Sequence, residues 1–125
     1  MFNKTTPIEI EFITNLDIQK SNKVVLLCFQ SMEATLNKNT PDELRAKLGS
    51  SIKMRLLGLA ANLQKTFPRE ITVNLIAEDN KTKVNIQVRD NFGFGSRIGI
   101  SKKISEIMRN DGMKIKDTFP NQISK

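Results

Sequence analysis

Apolar and polar residues alternate along several stretches of this chain with the period of two that is typical of a strand buried on one face. The first stretch is residues 6–13, where isoleucine and phenylalanine alternate with glutamate. Two further stretches, 71–78 and 83–89, flank the turn-forming residues 79–81. Together these two stretches predict a β-hairpin with one face against a core and the other in water.

Two other segments repeat their apolar residues every three or four positions, as an amphipathic helix does. The first covers residues 18 to about 36, and Asp17 or Ser21 is suited to cap its start. Its apolar stripe is wide, which predicts a helix packed on a sheet. The second begins near Ile100 and is expected to end at Gly112, because glycine commonly terminates helices.

Residues 40–56 allow two interpretations. Strict alternation over 44–48, and again over 52–56, favours two strands joined by a turn at 49–51. Residues 40–43, Thr-Pro-Asp-Glu, instead contain the proline and the capping-box pair of a helix start. They would give one short helix over 40–48. We favour the two strands and keep the helix as the alternative.

These elements occur in the order β-α-β-β-β-β-α. The compact arrangement of that order is an α+β fold, in which an antiparallel sheet of about five strands is packed on one face by two helices. The C-terminal helix is the long, amphipathic one. Residues 1–112 are expected to form a single domain, and residues 113–125 a polar, flexible C-terminal tail.

The predicted order resembles a reduced helix-grip plan, in which a curved antiparallel sheet holds a long C-terminal helix, as in START-like lipid and polyketide-cyclase domains. The stretches 49–58 (GSSIKMRLLG) and 89–95 (RDNFGFG) resemble small uncharacterised prokaryotic domains of this plan. By plan alone, the resemblance implies an apolar ligand site between the sheet and the last helix, near Ile104 and Met108. It assigns no functional residue.

The chemistry available to the chain is narrow. It contains no histidine and one cysteine, Cys28, so neither a Ser-His-Asp nor a Cys-His centre can be built. A single thiol gives no internal disulfide and no metal-ligand set. The 13 acidic residues show no catalytic spacing. We therefore expect a non-enzyme that uses no cofactor and no metal.

Location follows from what the sequence lacks. The chain has no apolar run near the ~20 residues of a membrane span. Its first residues, MFNKT, do not resemble a secretory signal. We therefore expect a cytoplasmic protein of one domain, in keeping with 125 residues and 26% charged side chains.

The charge is unevenly distributed. The net charge is +7, and residues 61–125 contribute +5 of it, from twelve Lys and Arg against seven Asp and Glu. A basic half can bind nucleic acid, an anionic membrane surface or an acidic protein, or it can keep the protein soluble. The candidate anion- or nucleic-acid-binding face comprises Lys53, Arg55, Lys81, Lys83, Arg89, Arg97, Lys102, Lys103 and Arg109.

A glycine cluster, Gly93, Gly95 and Gly99, joins the second hairpin strand to the last helix. A loop between a strand and a helix can direct free backbone N–H groups at an anion. The cluster is one residue longer than the dinucleotide fingerprint, and no strand pattern follows the helix, so we expect no dinucleotide cofactor. We interpret the cluster as a structural loop in which Gly93 or Gly95 adopts a positive φ.

Three functional hypotheses are consistent with these observations. The first is a small non-catalytic module that binds a protein partner. The second is a nucleic-acid- or phosphate-binding domain that uses its basic second half, although phenylalanine as the only aromatic type gives little support for base stacking. The third is apolar small-ligand binding between the sheet and the C-terminal helix. The sequence leaves the partner and the oligomeric state unknown.

Overall fold

One antiparallel sheet organises the protein. The computed structural model describes residues 7–49, 69–90, 101–119 and 122–123. In chain order the elements are β1 (Ile8–Thr14), α1 (Ile18–Ser31), β2 (Thr35–Thr40), β3 (Glu43–Leu48), β4 (Arg69–Glu78), β5 (Lys81–Asp90), α2 (Ser101–Thr118) and β6 (Gln122–Ile123). The strands lie in the order β2-β3-β4-β5-β1-β6. This confirms the predicted α+β class and the order β-α-β-β-β-β-α, to which the short β6 is added.

The predicted hairpin is the centre of the sheet. Strands β4 and β5 pair in register over their whole length, so that Val73 lies opposite Ile86 and Leu75 opposite Val84. The turn between them places Asp79 at a φ of 54°, a conformation that aspartate tolerates better than most residues. Six apolar side chains of the two strands point to one face and are at most 2% exposed: Ile71, Val73, Leu75, Val84, Ile86 and Val88. Ile76 lies on the opposite face and is 49% exposed.

Both helices cover the buried face of the sheet. Helix α1 contributes Val25 and Phe29 to the core, and α2 contributes Met108 and Ile115. Full burial of each such side chain contributes about 1.5–3 kcal/mol to folding. The opposite face of the sheet carries polar and charged side chains, as the alternation predicted.

Helix α1 is shorter than the periodicity predicted, because it ends at Ser31 rather than near residue 36. Glu33 adopts a φ of 60°, and the Ala34 N–H donates to the Phe29 carbonyl at 3.0 Å. This left-handed residue terminates the helix in the manner usually reserved for glycine. Leu36, which keeps the helical spacing in the sequence, therefore belongs to strand β2.

The strand predicted over 44–48 exists as β3, but its partner differs from the prediction. The two edges of β3 are occupied by β2 and β4, so the predicted pairing of 44–48 with 52–56 is wrong. The segment 52–56 itself lies outside the described residues. The alternative helix over 40–48 is also wrong, because Pro41 and Asp42 form a two-residue turn between β2 and β3. The helix-like capping signal is used within that turn, where the Glu43 N–H donates to Thr40 Oγ1 at 3.1 Å.

Helix α2 does not stop at Gly112. It continues to Thr118, and the predicted boundary between domain and tail falls inside it. Gly112 marks a close approach to the sheet instead, since a Cβ there would lie 2.6 Å from Ile10 Cδ1.

Residues 113–119 are part of the core rather than a flexible tail. Ile115 is fully buried, and the Phe119 ring packs edge-on against Phe12 with 5.2 Å between ring centroids. Farther on, β6 pairs with β1. Neither described helix has the length and apolar character needed to cross a bilayer.

Candidate functional site

A groove separates helix α1 from strand β2 and has a volume of about 400 Å³. One wall is the first half of α1, with Ile18, Gln19, Asn22 and Lys23. The other wall is the end of β2 and the following turn, with Asn39, Thr40 and Pro41. Chain reversal at Glu33 brings these two walls together, because α1 and β2 run in opposite directions side by side.

Two polar side chains position the walls of the groove. Asp17 caps α1 by accepting the Lys20 N–H at 2.8 Å. The Asn22 amide on the next turn donates to the Thr40 carbonyl at 3.0 Å and lies 3.4 Å from the Pro41 carbonyl. The contacts of Asn22 therefore join the helix to the end of β2. The groove lies next to this connection.

Strand β2 forms one edge of the sheet, and no other described strand pairs with its outer side. Leu36 is 41% exposed, whereas Ala46, its register partner on β3, is completely buried. Paired residues point to the same face, so Leu36 lies on the helix-covered side of the sheet. The open edge therefore presents an apolar side chain on the side where α1 lies.

The charges of β2 point elsewhere. Lys38 is in register with Arg45 on the outer face, and its ammonium group lies 2.8 Å from Glu43 Oε1. This hydrogen bond is the main reason why the pKa of Glu43 is held below its ordinary value. Lys23 in the groove differs, because it makes no ion pair within the described part of the chain.

The chemistry of the groove is that of recognition. Its walls offer amide side chains, aliphatic surface, backbone groups and one ammonium group. No pair of titratable side chains faces across it in the way that general acid–base catalysis requires. Across the described ranges, no three Asp, Glu, His or Cys side chains cluster closely enough to hold a metal ion.

The predicted basic face is divided between two sides of the molecule. Lys81, Lys83 and Arg89 lie on β5 at outward-facing positions, whereas Arg109 is exposed on α2, in the helical layer behind the sheet. Lys102 and Lys103 occupy the first turn of α2. The remaining members, Lys53, Arg55 and Arg97, lie outside the described residues, as do Gly93, Gly95 and Gly99, whose conformation stays a prediction.

The β5 members of this face have acidic neighbours. Lys83 Nζ lies 3.5 Å from Glu11 Oε2, and an Arg89 Nη atom lies 2.9 Å from Glu70 Oε1. Each pair contributes little to stability at the surface, but it reduces the positive potential available to a phosphate.

A buried ion pair lies between the sheet and α2. Arg69 on β4 and Asp111 on α2 are 3% and 1% exposed, and the guanidinium group contacts both carboxylate oxygens. Burial raises the pKa of Asp111, and the positive charge of Arg69 opposes that rise. Both groups are enclosed between layers, so the pair serves to join the helix to the sheet.

The sequence analysis missed this pair, although the sequence contains a signal for it. Arg69 has the same parity as the buried residues Ile71 and Val73, and Asp111 falls between Met108 and Ile115 on the apolar stripe of α2. Two opposite charges, each at a core position, are the pattern that a buried pair would leave. The groove had no comparable signal, because it depends on where α1 ends.

The helix–sheet interface is closed where α2 approaches the sheet most tightly. At Gly112 the helix backbone lies directly on Ile10, and Met108 one turn earlier is fully buried. The side chain of Ile104, at which the apolar ligand site was expected, is not among those described.

Comparison with known proteins identifies a fold and no family. No protein-family model matches the chain, and no curated protein is significantly similar to it. A crystal structure of TTHA0849 from Thermus thermophilus is similar to this chain with a TM-score of 0.50 and 9% sequence identity. The match covers 90% of this chain and 93% of that one. At this identity the similarity concerns the fold alone.

Proposed function

We propose that this protein is a non-catalytic module that binds a protein partner in the groove between α1 and β2. The observation that carries the proposal is the combination of a groove of about 400 Å³, an edge strand whose outer side pairs with no described strand, and the half-exposed Leu36. An exposed apolar side chain beside backbone groups and amides gives the mixture of apolar and polar surface that protein interfaces have as a whole.

The groove favours a protein over a nucleic acid. The groove offers one cation, Lys23, whereas a protein that binds a phosphate backbone normally uses several. The basic residues of β5 are next to Glu11 and Glu70, which leaves that surface mixed in sign. An amide-lined groove with an apolar edge instead fits a peptide chain, which brings its own amides and aliphatic groups.

The test is a selection of binders followed by measurement with two matched variants. A phage-displayed library of random peptides is selected on the immobilised protein, and the dissociation constants of enriched peptides are measured by fluorescence anisotropy. Gln19→Trp fills the groove from an exposed position of α1. Lys20→Trp places the same side chain on the adjacent residue, which does not line the groove.

We expect Gln19→Trp to weaken binding at least about tenfold, a loss of about 1.4 kcal/mol, and Lys20→Trp to change it less than about twofold. The proposal is wrong if no peptide is enriched over the uncoated support. It is equally wrong if enriched peptides bind both variants as tightly as the unmodified protein.

A further inference from the structure

The outer edge of β2 and the α1 groove lie side by side, and this arrangement indicates how a partner binds. We propose that the partner adds an extended strand to β2, with an acidic side chain directed at Lys23 and an apolar side chain two residues away, next to Leu36. This inference rests on the proposed function and specifies the conformation and chemistry of the bound segment. Peptides that bind in this way gain affinity from main-chain hydrogen bonds and specificity from alternate side chains.

The backbone of β2 has groups available for such an addition. Thr40 and Glu43 close the two-residue turn between β2 and β3. In a hairpin of this kind the closing pair directs its main-chain groups toward each other, so those of the preceding residue point away from the partner strand. The main-chain groups of Asn39 therefore point to the open edge, while its side chain lines the groove.

The position of the added strand is restricted along β2. The register between β2 and β3 shifts between Leu36 and Lys38, which is the mark of a bulge. Bulges interrupt the regular spacing of donors and acceptors on an edge. Regular pairing is thus confined to residues 38–40, beside the groove, and the bound segment is held at one register.

The side chains of the added strand alternate between two environments. Those that point to the helix-covered side meet α1, where Lys23 is the one cation in the groove and makes no ion pair within the described residues. A carboxylate placed there gains a charged partner. The next side chain on the same face lies two residues along, toward the exposed surface of Leu36, where an aliphatic group fits.

A second copy of the same strand fits this edge poorly. Strand β2 reads TLNKNT, with one lysine and no acid. Antiparallel pairing of two copies across a two-fold axis at Asn39 would bring together the two copies of Lys23, which makes no ion pair within the described residues. Like charges at such spacing are unfavourable, so the charge pattern selects an acidic partner over self-association.

The experiment uses synthetic peptides taken from the selected sequences, in which the backbone amides are N-methylated one at a time. We expect an alternate pattern over three successive amides of the peptide. Methylation of the amide opposite Asn39 should weaken binding at least about tenfold, and methylation of the amide on either side should change it less than about threefold, since Asn39 alone among residues 38–40 directs main-chain groups outward. We expect Lys23→Glu to weaken the binding of the acidic peptide about tenfold. Replacing the acidic residue of the peptide by lysine should restore its binding to that variant.

The possible failures separate the two proposals. If Gln19→Trp abolishes binding but no alternate pattern of N-methylation appears, the groove binds partners in another conformation and strand addition is wrong. If Gln19→Trp leaves the dissociation constants of the selected peptides unchanged, the proposed function itself is wrong. If sedimentation shows a dimer that the peptides do not dissociate and that Asn39→Pro makes monomeric, the edge is occupied by a second copy, which also overturns the inference.

Discussion

Arg69, the first residue of β4, and Asp111, in the second half of α2, form a buried ion pair that joins the sheet to the C-terminal helix across 42 residues of sequence. Removing Asp111 takes a carboxylate away from a buried guanidinium group, which is far more costly than never having placed the pair there. The pair therefore tests how tightly α2 is fixed.

We expect Asp111→Ala to destabilise the protein by about 3–5 kcal/mol in urea denaturation, because the buried Arg69 loses a carboxylate that it contacts through both oxygens. The double variant Arg69→Met with Asp111→Leu should recover most of that loss. Asp117→Ala, an exposed change on the same helix, should alter the free energy of unfolding by less than about 0.5 kcal/mol. A loss from Asp111→Ala as small as that of Asp117→Ala would mean that the pair is not buried.

The pH dependence follows from the pKa of the same carboxyl group. Burial raises the pKa of Asp111 in the folded state above its value in the unfolded chain, so the folded state retains the proton to higher pH. The resulting contribution to stability is present below the unfolded pKa and is lost as the pH rises through the folded pKa. The stability difference between the natural protein and Asp111→Asn should therefore shrink as the pH rises through that window.

Carboxyl carbon shifts measured by NMR as a function of pH test this directly. The midpoint of Asp111 should lie above the ordinary range of an aspartate. That of Glu43, whose pKa is lowered chiefly by its hydrogen bond from Lys38, should lie below the ordinary range of a glutamate. A midpoint for Asp111 at or below the ordinary value would show that the attraction of Arg69 outweighs the effect of burial.

Gly112 provides a test in which two effects oppose each other. Alanine at this position gains up to about 1 kcal/mol in helix propensity, but its Cβ would lie 2.6 Å from Ile10 Cδ1, the far end of a side chain that must change rotamer to make room. We expect the two effects nearly to cancel in Gly112→Ala, with a change in the free energy of unfolding below about 1 kcal/mol. Adding Ile10→Val removes the contacting methyl group, so the gain in helix propensity should then appear relative to Ile10→Val alone. A loss above about 2 kcal/mol from Gly112→Ala would show that Ile10 has no other rotamer to adopt.

Phe119 tests whether the end of α2 belongs to the core. Because its ring is 3% exposed and packs edge-on against Phe12, we expect Phe119→Ala to cost about 3–5 kcal/mol. Met113→Ala, an exposed apolar change on α2, should cost less than about 1 kcal/mol. If both variants lose equally little stability in thermal and urea denaturation, residues 113–119 form a flexible tail and not part of the core.

The sequence predicted the elements whose signals are local. The β4–β5 hairpin was predictable because alternation and turn chemistry agree over both of its strands. The end of α1 was not, because Glu33 terminates the helix without the glycine that usually marks such an end. Gly112 misled in the opposite direction, since a glycine required for close packing looks the same in sequence as a helix stop.

The candidate site was beyond sequence reasoning for a related reason. The groove exists because α1 stops early and β2 returns beside it, so its walls come from two separate segments. The one motif among its residues, the capping-box pair at 40–43, indicated a helix start instead. The basic residues that did form a recognisable set are divided between β5 and α2. The acidic neighbours of the β5 members, Glu11 and Glu70, come from other strands and become visible only in the folded chain.

The central claim is that the groove between α1 and β2 binds a protein segment, and an NMR titration with a selected peptide tests it most directly. We predict backbone amide shifts concentrated at Gln19, Asn22 and Lys23 on α1 and at residues 36–40 on β2, with Arg109 on α2 unchanged. Shifts centred instead on Lys83 and Arg89, on the outer face of the sheet, would contradict the account.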